Sequence, residues 1–323
     1  MMPSPASPAT FVDLQPDSGG FLDDVLAGLS LTPKSLPPKY FYDARGCELF
    51  EAICDLPEYY PTRTEMALMR DCAGDIAARL GKGGVLIEFG SGASVKTVTL
   101  LRVLGPAAYV PVDIAEEALR SSMARLNADF PSLPILAVCA DYMRPLRVAE
   151  LAAYDGLRRV VYFPGSTIGN LTPDEAQTFL VSARKLAGRT GAMVVGVDLK
   201  KDPAVLHAAY NDAQGVTAEF NLNLLRRINR ELAADFDLAK FRHVAFYNAA
   251  AGRVEMHLES LQTQVVTVSG RGYAFGAGER LHTENSYKYS EEGFRALARA
   301  AGFTPDRVWV DAERLFAVHL LLA

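Results

Sequence analysis

Several common chemistries lack their raw material in this chain. The four cysteines, Cys47, Cys54, Cys72 and Cys139, form no C-x-x-C pair. That removes the usual zinc and dithiol frameworks, and scattered thiols suit a reducing cytoplasm. Acidic residues outnumber basic ones, 38 to 33, for a net charge of -5, and no basic run breaks the balance. The electrostatic footprint of a nucleic-acid binder is therefore missing. The longest apolar stretch, near Leu315–Ala323, falls well short of the ~20 residues that a bilayer span needs. The first twenty residues contain no Lys or Arg and no apolar run, so they do not read as a signal peptide. A flexible tail over residues 1–20 is expected instead. No internal repeat, Walker loop, Gly-x-Ser-x-Gly elbow or H-E-x-x-H motif occurs. His207, His243, His257, His282 and His319 show no ligand spacing, and no metal site is expected.

What remains is a half-apolar chain of 323 residues, long for one domain and short for three. Its most informative stretch runs Val85-Leu86-Ile87-Glu88-Phe89-Gly90-Ser91-Gly92-Ala93-Ser94. This pattern predicts a buried strand, a glycine turn and a helix start. A second strand, Tyr109–Val112, ends in Asp113, and a third, Ile135–Ala140, is followed by Asp141. Acids at successive strand ends, beside glycines that allow close backbone approach, describe a nucleoside cradle in an open α/β sheet. The dinucleotide fingerprint would need a third glycine where Val95 stands, which argues against NAD or FAD. A nucleoside without a phosphate anchor fits better, and S-adenosylmethionine is the common one. Asp113 is expected at the ribose hydroxyls with Glu88 beside it, and Asp141 at an adenine amino group.

Strand–helix alternation continues from Val85 to Leu199. Further strands are expected at Arg159–Phe163 and Ala192–Leu199, with helices at Val95–Leu104, Glu116–Ala128, Arg147–Ala153 and Pro173–Leu186. A helix from Thr62 has the look of a capping box, Thr62-x-x-Glu65. Helices at Pro203–Tyr210 and Thr217–Leu232 are then followed by four strands between His243 and Tyr289. A helix (Glu291–Ala301) and a terminal strand pair close the chain. The expected architecture is α/β: a Rossmann-like sheet with a second α+β domain. The domains are drawn as 64–199 plus 289–323 for the cofactor, and 21–63 plus 200–288 for the substrate.

With those residues in place, the chain resembles the ergothioneine-pathway L-histidine Nα-methyltransferases from about residue 20 to its end. The likeness rests on several strings: Leu36-Pro37-Pro38-Lys39-Tyr40-Phe41-Tyr42-Asp43, Leu56-Pro57-Glu58-Tyr59-Tyr60-Pro61-Thr62-Arg63, Glu88-Phe89-Gly90-Ser91-Gly92, Gly165-Ser166-Thr167-Ile168-Gly169-Asn170-Leu171, Gly215-Val216-Thr217-Ala218-Glu219-Phe220-Asn221 and Thr283-Glu284-Asn285-Ser286. The resemblance implies a class I S-adenosylmethionine methyltransferase sheet with an inserted substrate domain. It implies that Gly90, Lys96, Asp113, Asp141 and Tyr142 bind S-adenosylmethionine, with Tyr142 standing where Phe is usual. It implies that Tyr42 and Tyr210 grip the substrate carboxylate, that Tyr59 and Asn170 surround the reacting amine, and that Met256, Glu284 and Ser286 form the side-chain pocket. Glu284 and Ser286, two apart on a strand, share one face and can bond the two imidazole nitrogens.

The expected activity is threefold Nα-methylation of L-histidine to trimethylhistidine by a cytoplasmic monomer, without nucleic acid or membrane partners. Two rivals stand beside it: the same chemistry on another amino acid or amine, such as a tryptophan-like substrate, and a catalytically silent cofactor-binding protein. Blander roles compete at single residues. Tyr40, Phe41 and Tyr60 can be packing alone, Asn170 a helix cap, Lys96 a solvated helix residue, and Glu284 an ion-pair partner of Arg280 or Lys288.

Overall fold

The computed structural model describes residues 9–14, 20–92, 96–146 and 148–323. The chain divides into two compact units. One comprises Met1–Pro16, Pro61–Lys200 and Lys288–Ala323; the other comprises Asp17–Tyr60 and Lys201–Tyr287.

The first unit is built on an eight-stranded sheet. Its strands are β1 (Ala9–Asp13), β2 (Val85–Phe89), β3 (Ala108–Asp113), β4 (Ile135–Cys139), β5 (Arg159–Phe163), β6 (Ala192–Asp198), β12 (Thr304–Val310) and β13 (Phe316–Leu322). They run in the order β1-β4-β3-β2-β5-β6-β13-β12. β1 to β6 pair in parallel, and β13 lies antiparallel to β6. Every residue of β2, β3, β4 and β6 is buried, as a parallel sheet covered on both faces requires. Alternate residues supply the two cores. Val85, Ile87 and Phe89 face a cluster with Phe179 and Leu180 of α6 (Pro173–Ala187) and Phe294 of α9 (Glu291–Ala300). Leu86 and Tyr109 face Met69 and Ile76 of α3 (Tyr60–Leu80), Leu100 of α4 (Thr97–Leu104) and Leu126 of α5 (Glu116–Asp129). The strand order turns back at β2, whose neighbours are β3 and β5. Ligands bind beyond the carboxyl ends of the strands at such a switch point.

The second unit holds α1 (Gly20–Leu29), α2 (Ala44–Cys54), α7 (Pro203–Tyr210) and α8 (Val216–Leu232). Its strands are β7 (Phe241–Asn248), β8 (Arg253–Ser260), β9 (Gln264–Val268), β10 (Arg271–Phe275) and β11 (Arg280–Tyr287). β11-β8-β7 form an antiparallel sheet, and β9 and β10 a separate hairpin. α2 lies against α8, and α7 and α8 lie against β7 and β8.

Five local expectations change. Within the segment expected to be a flexible tail, Ala9–Asp13 forms β1, an edge strand pairing with all five residues of β4; an alternating Thr-Phe-Val run suits such an edge. α3 starts at Tyr60 rather than at a Thr62 cap, which puts Glu65 inside the helix, fully buried. Residues 93–95, including Val95 and the expected start of α4, lie outside the described residues, as does Arg147; a short 3-10 turn at Ala149–Tyr154 stands near the helix expected from 147 to 153. β10 was not anticipated. Neither was α2, which Asp43 caps by accepting from the Gly46 amide at 2.8 Å. Gly46 hides this helix because glycine is a poor helix former. It is nevertheless required, since a Cβ there would fall 1.7 Å from the Phe41 carbonyl oxygen. No helix among the described residues is long and apolar enough to cross a membrane.

Candidate functional site

The carboxyl ends of β2 and β3 meet in the first unit. Gly90 and Gly92 both adopt positive φ, 67° and 44°, in the left-handed region that favours glycine. The turn is held by Gly90 and Ser91 amides donating to the Val112 carbonyl. Asp113 is almost completely buried; its Oδ2 accepts from the Gly92 amide at 2.8 Å and its Oδ1 from the Ala115 amide at 2.9 Å. Burial pushes this carboxyl above its usual range, against the backbone donors Ala115, Gly92 and Ile114. Each oxygen keeps a further lone pair for a ligand hydroxyl. Among the described residues, a Cβ at Gly92 would meet nothing within 4 Å.

Glu88 does not stand beside Asp113 as a second ribose ligand. The pleat turns it to the α3–α4 face, where Thr97 Oγ1 and the Tyr109 hydroxyl both donate to its Oε2. Burial pushes its carboxyl up to about 8 despite these donors. Asp141 accepts the Met143 amide at 2.9 Å, closing a tight turn after β4. The Tyr142 ring lies edge-on to Phe163 and Phe179, at 5.4 and 5.9 Å between centroids, so the change from Phe leaves the aromatic packing in place.

Lys96 is not a solvated helix residue. Its ammonium pairs with buried Glu65 at 2.7 Å. Both Glu65 oxygens also accept from the Gly165 amide at 2.9 Å, at the turn after β5. In that turn Ser166 has φ 55°, and its hydroxyl accepts the Asp198 amide at 2.9 Å. Asn170 ends the following 3-10 turn. It is not the cap of α6, because Thr172 and Glu175 form a complete capping box there.

The second unit gathers Tyr59, Tyr210, Met256 and Glu284 around one cavity, with Phe50, Ile53, Ala209, Thr217 and Phe220 completing the lining. Antiparallel pairing puts Met256 of β8 directly opposite Glu284 of β11. Ser286, two residues on, accepts a 2.7 Å hydrogen bond from the Tyr210 hydroxyl. Tyr42 stands edge-on to Phe50 and Phe220, and Tyr59 edge-on to Tyr210. Burial pushes the Tyr59 phenol well above its usual range, with Tyr210, Cys54, Glu284 and Tyr42 adding to the shift. It is therefore a neutral hydroxyl at physiological pH. The cations suggested as bland partners for Glu284 pair elsewhere: Arg280 with Glu259 at 2.8 Å, and Lys288 with Asp198 at 2.7 Å. Phe41 stacks on Phe220, and Tyr60 takes a hydrogen bond from Lys201, so both have packing roles.

A polar chain holds this pocket from behind. Thr283, the bulged residue of β11, donates to Asn221 Oδ1. Asn221 Nδ2 lies 2.9 Å from both His243 Nδ1 and the His257 carbonyl. His243 Nε2 lies 2.9 Å from the Tyr210 carbonyl. Burial lowers the His243 pKa, which leaves a neutral ring that accepts at Nδ1 and donates at Nε2. On the other face of the same sheet, Glu255, His257 and His282 come together. Arg253 and Asn248 occupy Glu255 Oε1, and His257 Nε2 lies 3.1 Å from Oε2. Of these contacts the one from Asn248 crosses from β7, while Arg253 and His257 share β8 with Glu255.

Sequence reasoning missed Glu65, Phe50 and Ile53. The apolar steps Leu49, Phe50, Ile53 and Cys54 carried the signal for α2, but Gly46 masked it. Thr217 and Phe220 lay within a quoted string without a role attached.

The family described as histidine-specific, S-adenosylmethionine-dependent methyltransferases matches residues 21–323. A histidine N-alpha-methyltransferase of Mycolicibacterium smegmatis is 42% identical over 304 residues, covering 92% of this chain and 93% of that protein. The protein of the same name from Mycobacterium tuberculosis is 41% identical over 303 residues, with the same coverage of 92% and 93%. Ergothioneine biosynthesis protein 1 of Neurospora crassa is 29% identical over 296 residues, which is 90% of this chain and 33% of that longer protein.

Proposed function

The chain belongs to the histidine-specific, S-adenosylmethionine-dependent methyltransferases, and from that premise we propose that it methylates the α-amino nitrogen of L-histidine three times. The product would be Nα,Nα,Nα-trimethylhistidine, an intermediate of ergothioneine formation. The sheet unit carries the cofactor residues in this proposal, and the second unit carries the substrate pocket. The observation that supports it most is Glu284 in an aromatic-lined cavity, two residues along the strand from Ser286, which is bonded to the cavity-lining Tyr210.

The residues at the β2 and β3 ends fit S-adenosylmethionine. A buried carboxylate with lone pairs to offer stands against the glycine turn. Gly90 lets the backbone approach the nucleoside, Asp113 accepts from the ribose, Asp141 from the adenine amino group, Tyr142 packs the base, and Lys96 offers an ammonium. The bound cofactor supplies an electrophilic methyl on a positive sulfur, so the protein's work is mainly positioning.

On the substrate side, Glu284 accepts from one imidazole N–H. Ser286, which accepts from Tyr210, stands on the same strand face and offers its hydroxyl oxygen to the ring's polar edge. Met256 and the aromatic residues cover the ring. Tyr42 offers its hydroxyl to the substrate carboxylate; the Tyr210 proton is already given to Ser286, so Tyr210 acts by holding Ser286 rather than by donating to the carboxylate. Asn170 orients the amine through its side-chain oxygen. Tyr59 remains neutral and orients as well. No strong base is assigned, because solvent can carry off the proton. The four cysteines are free, which supports a reducing cytoplasm as the setting.

The test is a reaction of the purified chain with S-adenosylmethionine and all the common amino acids, read by mass spectrometry. The expected outcome is histidine gaining three methyl groups. Gain on a different amino acid, or on none, would overturn the assignment.

A further inference from the structure

We propose that Glu65 is a positioning residue that clamps together the two loops of the cofactor site. This takes the methyl-transfer function above as its premise, including Lys96 as a cofactor contact. Glu65 lies on α3, five residues after its first, and is completely buried. An uncompensated carboxylate there would be strongly unfavourable. Its Oε2 is 2.7 Å from the Lys96 ammonium, and both oxygens stand 2.9 Å from the Gly165 amide. Space for the carboxylate comes from Gly196 on β6, where a Cβ would lie 2.0 Å from Glu65 Oε1.

Lys96 precedes α4, after the glycine turn that follows β2, and Gly165 sits on the turn that follows β5. β2 and β5 are neighbours at the point where the strand order turns back. One carboxylate thus joins the two loops that flank the ligand crevice of this fold class. It takes one of the three ammonium protons of Lys96 and leaves the others available to an anionic group such as the cofactor's own carboxylate. The Gly165 turn also leads to Asn170, so the same contact fixes where that residue begins.

A purely structural carboxylate would lower stability when removed and leave affinity alone. Affinity therefore decides the question. S-adenosylhomocysteine is titrated calorimetrically into the full chain, its Glu65→Gln and Lys96→Met variants and the double variant, with circular dichroism to establish folding. The expected result is a dissociation constant raised about tenfold or more by each single change, as loss of a charge-assisted contact predicts. The double variant should lose no more than the weaker-binding single, because both changes break one unit. The Michaelis constant for histidine should move by less than about threefold. Unchanged affinity in folded Glu65→Gln, or losses that multiply, overturns the proposal. If Glu65→Gln does not fold, Gly196→Ala displaces the carboxylate without removing it. Weakened binding in that variant then supports the clamp, and wild-type binding refutes it. Wild-type protein that binds S-adenosylhomocysteine yet methylates no histidine defeats the substrate assignment, while the same dissociation constants still judge the clamp.

Discussion

The two units hold their polar groups in different ways. In the sheet unit the acids are engaged by the protein itself: Asp113 by two backbone amides, Asp141 by one, Glu65 by Lys96 and Gly165, and Glu88 by two hydroxyls. These contacts shape loops at strand ends. In the second unit Glu284, which interacts with buried Tyr59, lines a cavity of aromatic and apolar side chains, with Tyr210 and Ser286 bonded to each other nearby. In the proposed function the sheet unit takes the cofactor through its backbone turns, and the second unit takes the substrate side chain through a few polar atoms in an apolar setting. Specificity of the second kind is steep, because a wrong partner leaves buried polar groups unpaired.

That contrast predicts separable losses. The largest is expected for Glu284→Ala, which should lower kcat/KM for histidine by about a hundredfold or more while leaving S-adenosylhomocysteine affinity intact. Steady-state kinetics with calorimetry would check this, and a fall in cofactor affinity would break the separation. Asp113→Ala comes next. Its dissociation constant for S-adenosylhomocysteine should rise about 10- to 100-fold, the loss of hydrogen bonds to a charged acceptor, in a protein that still folds. Normal binding would remove Asp113 from the cofactor site. Tyr210→Phe breaks one neutral hydrogen bond to Ser286, so the Michaelis constant for histidine should rise by about three- to tenfold. No change would mean that the pair does not act on the substrate.

The smallest effect concerns pH and stability. Glu88 has a folded pKa of about 8 against an ordinary value of 4.5, so the folded form binds the proton more tightly. Its contribution is complete below pH 4.5 and is lost as the pH rises through 8. His257, held down to about 4 by burial and the neighbouring His282 against the pull of Glu255, has the opposite sign: its contribution is present above pH 6.5 and is lost as the pH falls toward 4. His319 of the sheet unit, also held down to about 4, moves with it. Glu88→Gln should therefore flatten the alkaline side of a melting-temperature profile by about 2–4 °C and leave the acid side unchanged. A profile that keeps its alkaline slope would show that Glu88 titrates normally.

Legibility differed between the units for the same reason. The residues proposed for the cofactor lie at the ends of consecutive strands, so strand periodicity and two glycines sufficed to place Gly90, Asp113 and Asp141 at strand ends. Glu88 was misjudged because the pleat, not its place at the strand tip, decides which face it takes. Glu65 looked like half of a capping box, and only the approach of Lys96 and Gly165 revealed its use. The pocket draws on α2, α7, α8, β8 and β11. No local pattern links these stretches, and its residues entered through family strings rather than periodicity.

By itself the sequence determined the α/β alternation, which follows from repeats of two and 3.6 residues along one segment, and the glycine turn with acids after successive strands, which is a local pattern. Tertiary structure alone decided that Tyr210 bonds Ser286, that Met256 faces Glu284, and that a helix glutamate reaches two distant loops. Those contacts join positions far apart in the chain, and their pairing is set by sheet register and core packing.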